Sequence, residues 1–407
     1  MESKQSGMSG QSSKLMAVNE LFYKMPAPLS VTVLTTNKKQ YSTRNEYQPG
    51  QTVVFDLNCN SAVDPEKSFI KYSINCDAGT SVAFGTGSAL NVIREVRIMS
   101  KNGAELDRIS NYNHWARHYM RNCISDDDIR LYTQLWGFNS STPAIAVNTT
   151  QTFVLPLKFL SGLFRPHGGV KLPPQLLSGV RIELVLEDPS TACVAPVGPV
   201  STYKMLNPEI SLSEHSLGDN ALKVLAEEAA NNGLEITYDR VFIASESNGT
   251  TSQFNTQIKK AVSQCTSIIA EPKLTTLLNS PNFDSFNALT GAEFRKYQFR
   301  LASSYFPNQE VDDIREAYFY ASQICDRHKM ASYVTYPGYS GAFDFHVASQ
   351  IKSDDEITSS GLPINNSASL AVNIETDPAS TNPKTYFLYM TYTALARCFI
   401  SQVSVKI

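Results

Sequence analysis

The strongest constraint on this chain is a period of two that recurs along nearly its whole length. Val53, Phe55 and Leu57 fall on one face of an extended segment, and Val96 and Ile98 alternate with Glu95 and Arg97. Over 180–187, Val180, Ile182, Leu184 and Leu186 point one way and Arg181, Glu183 and Glu187 the other, with Val185 the exception. Ile210/Leu212, Tyr297/Phe299/Leu301, Phe343/Phe345/Val347 and Leu370/Val372/Ile374 repeat the pattern. The last segment sets Phe399, Val403, Val405 and Ile407 against Gln402, Ser404 and Lys406. Side chains alternate across a strand, so each run is a strand with one face in a core and one in water. Lys101-Asn102-Gly103-Ala104 separates two such runs, and Asn-Gly is a strong hairpin signal because both residues tolerate positive φ. The 20 prolines and 20 glycines cluster between runs, as in 166–174 and 189–199. Many strands with such turns predict an all-β chain with a few short helices, a β-sandwich or jelly roll.

Helical spacing is confined to a few places. In 219–232, Leu222, Leu225, Ala226 and Ala229 form a narrow apolar stripe, an Asp or Ser caps the start, and Gly233 sits where a helix ends. That stripe is expected to pack on barrel surface, because a helix this short is marginal alone in water. A second helix is expected over 111–121, with Tyr112, Trp115, Ala116 and Tyr119 on one face. Ser125-x-x-Asp128 resembles the cap of a third, and 311–323 is the fourth, with Ile314, Ala317, Tyr318 and Ala321 at helical intervals. The 219–232 helix falls near mid-chain, with strand candidates in similar number on either side. At 407 residues the chain is too long for one ordinary domain. Two sandwiches of ordinary size follow, a duplication inferred from architecture and not from sequence identity between the halves.

Composition excludes several classes. Hydrophobic residues are 42%, aromatics 10% and charged residues only 18%, which is incompatible with disorder over most of the chain. The net charge of −3, from 35 basic and 38 acidic side chains, argues against holding nucleic acid by charge neutralisation. No apolar run is long enough to span a bilayer. Residues 1–14 are rich in Ser, Gly and Gln with no apolar signal core, and read as a flexible arm without a secretory signal. The seven cysteines, Cys59, Cys76, Cys123, Cys193, Cys265, Cys325 and Cys398, are scattered and form no C-x-x-C pair. Reduced thiols in a protein folded inside the cell are expected. Sequons at Asn139, Asn148, Asn248 and Asn365 then read as chance matches in polar loops.

No stretch assembles a catalytic, cofactor-binding or metal site. His114 and His118 have metal-ligand spacing on a helix, but Trp115 stands where a zinc protease needs Glu, and no third ligand is near. They read as a polar helix face. Asp126-Asp127-Asp128 lacks the calcium-loop alternation and reads as favourable charge at a helix N-terminus. Gly85-Thr86-Gly87 lacks the third glycine of a dinucleotide fingerprint. In Gly338-Tyr339-Ser340-Gly341 the second glycine comes one place too early for a nucleophile elbow. The aromatic runs Tyr318-Phe319-Tyr320 and Tyr386-Phe387-Leu388-Tyr389 are assigned to core and subunit packing rather than to stacking on sugars or bases. A large, nearly neutral, β-rich chain of this kind is structural or binding, not an enzyme.

Three stretches carry a family resemblance. Residues 93–113, IREVRIMSKNGAELDRISNYN, resemble the strand, tight turn and strand that lead into a helix in viral double jelly-roll major capsid proteins. Residues 155–188, LPLKFLSGLFRPHGGVKLPPQLLSGVRIELVLED, look like that family's next landmark, a long alternating strand ending in acids. Residues 297–311, YQFRLASSYFPNQEV, are similar to a second-barrel strand that ends in an aromatic-Pro turn before a helix. The likeness is to capsid proteins of polinton-like viruses, virophages and adintoviruses, within the lineage of adenovirus hexon and tectivirus-type capsids, and it spans 41–407.

The resemblance implies two eight-stranded jelly rolls side by side. It divides the chain into an arm (1–40), a first jelly roll (41–215), a connecting helix (216–233) and a second jelly roll (234–407). It also implies a homotrimer of pseudo-sixfold outline that packs with neighbouring capsomers, and with penton and minor capsid proteins, into an icosahedral virion shell around a DNA genome. The near-zero charge suits a shell lined by an internal membrane or by other proteins and does not choose between them. No cofactor and no sequence-specific nucleic-acid binding are expected. Two rivals stand beside this reading: a carbohydrate-binding jelly-roll protein such as a fibre or lectin, and a hydrolase built on a β-sandwich.

Overall fold

The computed structural model describes residues 34–84, 88–137, 144–189, 201–216, 218–278, 292–324, 336–340, 345–351, 362–364, 369–380, 382–399 and 402–406. The first half carries β1 (Leu34–Tyr41), β2 (Glu46–Tyr47), β3 (Thr52–Asp56), β4 (Ala62–Ala78), β5 (Ser81–Val82), β6 (Ile93–Met99) and β7 (Glu105–Ile109). Helices α1 (Tyr112–Asn122) and α2 (Asp126–Trp136) follow, then β8 (Ile145–Ala146), β9 (Thr150–Pro156), the one-turn α3 (Pro174–Leu177), β10 (Arg181–Leu186) and β11 (Thr202–Ser216). Helix α4 (Asp219–Asn231) leads to β12 (Leu234–Gly249), β13 (Gln253–Ile258), β14 (Val262–Leu274), β15 (Phe294–Leu301) and β16 (Ser304–Val311). The chain ends with α5 (Ile314–Ile324), α6 (Tyr336–Ser340), β17 (Val347–Gln350), β18 (Leu362–Ile364), β19 (Leu370–Thr376), β20 (Lys384–Cys398) and β21 (Val403–Lys406).

These strands form two sandwiches with the same wiring. In the first, a sheet ordered β1-β11-β4-β9, with β2 beside β11, faces a sheet ordered β3-β10-β6-β7. In the second, β12-β20-β14-β17, with β18 on β14 and β21 on β20, faces β13-β19-β15-β16. Each barrel thus has eight principal strands, and its first lies beside its last, the closure of a jelly roll. Replacing β1, β3, β4, β6, β7, β9, β10 and β11 by β12, β13, β14, β15, β16, β17, β19 and β20 turns one order into the other. Helices enter at the same point of both: α1 and α2 between β7 and β9, α5 and α6 between β16 and β17. The chain is a double jelly roll, as expected.

The alternating residues fill the cores. Val53, Phe55, Val96, Ile98, Ile182 and Leu184 are buried from one sheet of the first barrel, and Ile70, Tyr72, Ile74, Phe153, Leu155 and Met205 from the other. In the second barrel Phe254, Tyr297, Phe299, Leu370, Val372 and Ile374 are buried, and Phe254 stacks on Tyr386 of the opposite sheet at 4.1 Å.

Several expectations change in detail. Strand β1 starts at Leu34, inside the stretch read as arm, because Leu34–Tyr41 pairs in register with β11 from Ser216 to Glu209. In the hairpin after β6 only Gly103 takes positive φ, +80°. The Asn102 side chain instead accepts from Ser100 Oγ and donates to Val403 O of the second barrel. Helix α4 has Gly218 at its N-cap and no side-chain cap, since Asp219 is already helical. Gly233 ends it at φ +77°, its N–H bonding back to Glu228 O. Ala229 is buried, Leu225 half-buried and Val224 exposed, while the Leu222 side chain lies outside the described residues. Ser125 does cap α2, its Oγ accepting from the Asp128 N–H at 3.1 Å. Helix α5 begins at Ile314, because Val311 still belongs to β16. Tyr305-Phe306-Pro307 lies within edge strand β16 and not in a turn, and an edge tolerates a proline's missing N–H. Cys59, Cys76, Cys265 and Cys398 are free and buried, but Cys123 is disulfide-bonded, against the reduced state expected from scattered cysteines. Phe343, Ile407, Gly85-Thr86-Gly87, Asn139 and Asn365 fall outside the described residues.

Candidate functional site

The largest concentration of buried polar chemistry lies where the two barrels meet. Strand β7 and the turn after β9 approach β12 of the second barrel. Asp107 is fully buried, accepting from Arg240 Nε at 3.1 Å and from the Ser161 hydroxyl. Arg240 also donates to Glu105 Oε1 at 3.1 Å, and its guanidinium lies 5.9 Å from the Tyr392 ring. Burial pushes the Asp107 carboxyl up against the pull of Arg240 and Ser161. An isolated charge here would be prohibitive, and the bidentate reach of arginine to two acids makes the burial tolerable. Tyr238 donates to the Leu106 carbonyl at 2.5 Å, and His167 pairs with Asp239 at 3.1 Å. Gly162 allows this closeness: a Cβ there would stand 1.6 Å from the Asp239 carbonyl oxygen.

Helix α1 forms the second half of the seam. It lies between the barrels, so every residue except Tyr119 is buried. The His114 ring stacks on Phe387 at 4.1 Å, and Trp115 meets Tyr389 at 5.5 Å. His118 Nδ1 stands 3.7 Å from Glu271 Oε2, an ion-pair distance too long for a hydrogen bond, and its ring meets His346 edge-on at 4.9 Å. Tyr389 donates to Glu271 at 3.0 Å, and Lys273 is in direct contact with the same carboxylate. Burial alone pushes Glu271 up, but Lys273, His118 and Arg117 together hold it well below the ordinary carboxylate range. Burial, with Lys273 beside it, lowers His114 to about 3, so that ring is neutral.

This chemistry joins surfaces and exposes no reactive group. The His114/His118 side of α1, read from sequence as a polar helix face, is covered by the second barrel, because β14 and β20 bring Glu271, Phe387 and Tyr389 against it. Asp126-Asp127-Asp128 opens α2, as expected. In α6, Tyr339 is buried in the core with its hydroxyl on the His346 carbonyl at 2.5 Å, while Gly341 is outside the described residues. Of the aromatic runs, Tyr386 to Tyr389 is wholly buried, whereas Phe319 on α5 is exposed. Asn148 sits at a turn, and Asn248 near the end of β12. Among the described residues no three His, Cys, Asp or Glu side chains gather as a metal site. A cavity of about 330 Å³ between α2 and β4/β9 is lined by Glu66, Phe69, Tyr132, Trp136 and Lys158, and a 260 Å³ hollow on β13, β15 and β19 by Gln253, Asn255, Lys296, Asn373 and Glu375. Neither contains a histidine or cysteine.

The Asp107–Arg240 pair was not anticipated, since short acidic and basic segments 133 residues apart give no pairing signal. The polar side of α1 did carry one. Its charged residues are all His or Arg, with no Lys, Glu or Asp, an unusual composition for a solvated helix face.

Compared by sequence, the chain matches no protein-family model and no curated protein. Compared by structure, it matches viral major capsid proteins over nearly its whole length. The VP54 protein of PBCV-1, fitted into a reconstruction of the virophage Sputnik, superposes with a TM-score of 0.66 at 11% identity, over 95% of this chain and 99% of that one. The Faustovirus major capsid protein gives 0.64 at 9% identity, covering 94% of each chain. The mavirus major capsid protein gives 0.51 at 9% identity, over 100% of this chain and 96% of that one. Identities this low speak to fold alone, and the fold is that of the viral double jelly-roll major capsid proteins that the sequence landmarks resemble.

Proposed function

We propose that this chain is a viral major capsid protein, a self-assembling structural protein and not an enzyme. Three copies form a capsomer of pseudo-hexagonal outline, and capsomers tile an icosahedral shell that encloses a DNA genome. Its place is the virion, its partners are neighbouring capsomers together with penton and minor proteins, and an internal membrane is compatible with its near-neutral charge. The observation that carries this reading is the duplicated barrel locked by a buried seam. Two like barrels per chain, in three chains, present six near-equivalent lateral faces to a hexagonal lattice. Likeness over whole chains to proteins named as major capsid proteins supports it. Many weak lateral contacts per capsomer then sum to a closed shell.

Light scattering of the purified full chain tests the reading. The expected mass is three times 45.0 kDa, with hexagonal particles in negative stain. A stable monomer at micromolar concentration and moderate salt would overturn it.

A further inference from the structure

Within one chain, β7 and α1 of the first barrel dock on the β12-β20-β14 sheet of the second. Because the barrels share one wiring, the molecule carries each surface once more. The counterpart of β7 and α1 is β16 and α5, and the counterpart of the receiving sheet is β1-β11-β4. Both counterparts carry exposed aromatics: Phe319 is 58% exposed, Tyr305 41% and Tyr41 69%.

The charges are complementary in the same sense as in the internal seam. There, Glu105 and Asp107 on β7 meet Arg240 on β12. On the open faces, Glu310, paired with Lys296 at 3.0 Å, is the penultimate residue of β16, Asp312 and Asp313 follow the strand, and Glu316 lies in the first turn of α5, with Arg315 the one cation of the run 310–316. Opposite charge sits at the matching place: Lys39 on β1 and Lys71 on β4 lie on the same outward face of the sheet, with side chains 50% and 41% exposed. The carboxylate between them, Glu209, is only 9% exposed, so the surface presented outward there is cationic.

We propose that the β16/α5 face of one copy docks on the β1-β11-β4 face of a second copy. Asp312, Asp313 and Glu316 lie against Lys39 and Lys71, and Phe319 is the apolar anchor. The inference rests on the capsomer reading and names the contact that builds it. Such a head-to-tail contact repeats around a ring until the rotation closes.

The test is the solution mass of full-length variants beside the parent chain. Asp312→Lys with Asp313→Lys, and separately Lys39→Glu with Lys71→Glu, each place like charges face to face and are expected to weaken the trimer about tenfold or more. A chain carrying all four substitutions is expected to regain it. Lys39 and Lys71 also pair with Glu209 inside the chain, so melting curves accompany the set. Phe319→Arg alters an already exposed side chain and carries the test if a lysine variant fails to fold; it too is expected to dissociate the trimer. Trimers unaffected by these changes overturn this contact and leave the capsomer reading standing, whereas a monomeric parent overturns both.

Discussion

His114 is buried and neutral, its pKa lowered from 6.5 to about 3, while in the unfolded chain the same ring takes up a proton near 6.5. Its contribution to stability is therefore complete above pH 6.5 and is lost as the pH falls from there toward 3, a loss on the order of 5 kcal/mol. Glu271, held below 4.5 when folded, adds a further loss below that value. Asp107 and Glu187, raised by burial, work in the opposite sense, their contributions fading as the pH rises through their folded values. The urea midpoint is expected to drop between about pH 7 and 5. His114→Phe, which keeps the ring on Phe387, is expected to flatten that drop; parallel profiles would assign it to other groups. Gly162 is the other residue on which the seam turns. A Cβ would meet backbone there, which cannot rotate away, so Gly162→Ala is expected to cost about 3 kcal/mol or more. Gly103→Ala, with φ +80° but open space, is expected to cost about 1 to 2 kcal/mol. Thermal melts of the two variants measure the contrast.

Helices α1 and α4 show how placement sets the worth of an element. Both are short, and neither has a side-chain N-cap hydrogen bond. Helix α1 is stable because two barrels enclose it, so its His and Arg residues had to find partners inside the seam. Helix α4 links the barrels with Val224, Glu227 and Glu228 in solvent and only Ala229 among its described side chains fully buried. Leu225 is half-buried, so Leu225→Asp leaves the new carboxylate access to water. The expected cost is about 1 to 2 kcal/mol, less than a fully buried site would give, and Glu227→Gln is expected to change stability by under about half a kcal/mol. Melting temperatures of the two variants check this. A loss near 4 kcal/mol for Leu225→Asp would mean the helix packs more tightly than its exposure indicates.

For the whole molecule, the seam makes two barrels behave as one body. Hydrogen bonds, stacked rings and buried ion pairs cross it at β7, at the turn before α3 and along α1. A rigid pair of like units is what the proposed pseudo-hexagonal capsomer would require, since play between barrels would blur the lattice angle. Residues 1–13 lie outside this body in composition, having no apolar pattern to bury. Their removal is expected to leave the proposed trimer folded, by circular dichroism and solution mass, but to reduce the yield of the proposed closed shells in negative stain. A truncated chain that fails to fold would place the arm in the barrel core.

Alternation of apolar and polar residues over Val53–Leu57, Val180–Leu186, Tyr297–Leu301 and Leu370–Ile374 was enough to assign strands and the buried side of each. That pattern is local, because side-chain direction in a strand follows from backbone geometry alone. Ser125 and Gly233 marked helix ends for the same reason. The duplication was legible only as a count of strands about a central helix, since the shared wiring resides in sheet order and not in sequence identity. The seam was not legible. Asp107 meets Arg240, and His118 meets Glu271, only after two barrels have closed and docked, and no short-range pattern reports what will cover an outward-facing side chain. Burial then decides the rest: it turns a histidine-bearing helix face into an interior wall, lowers His114, and makes a glycine at 162 indispensable.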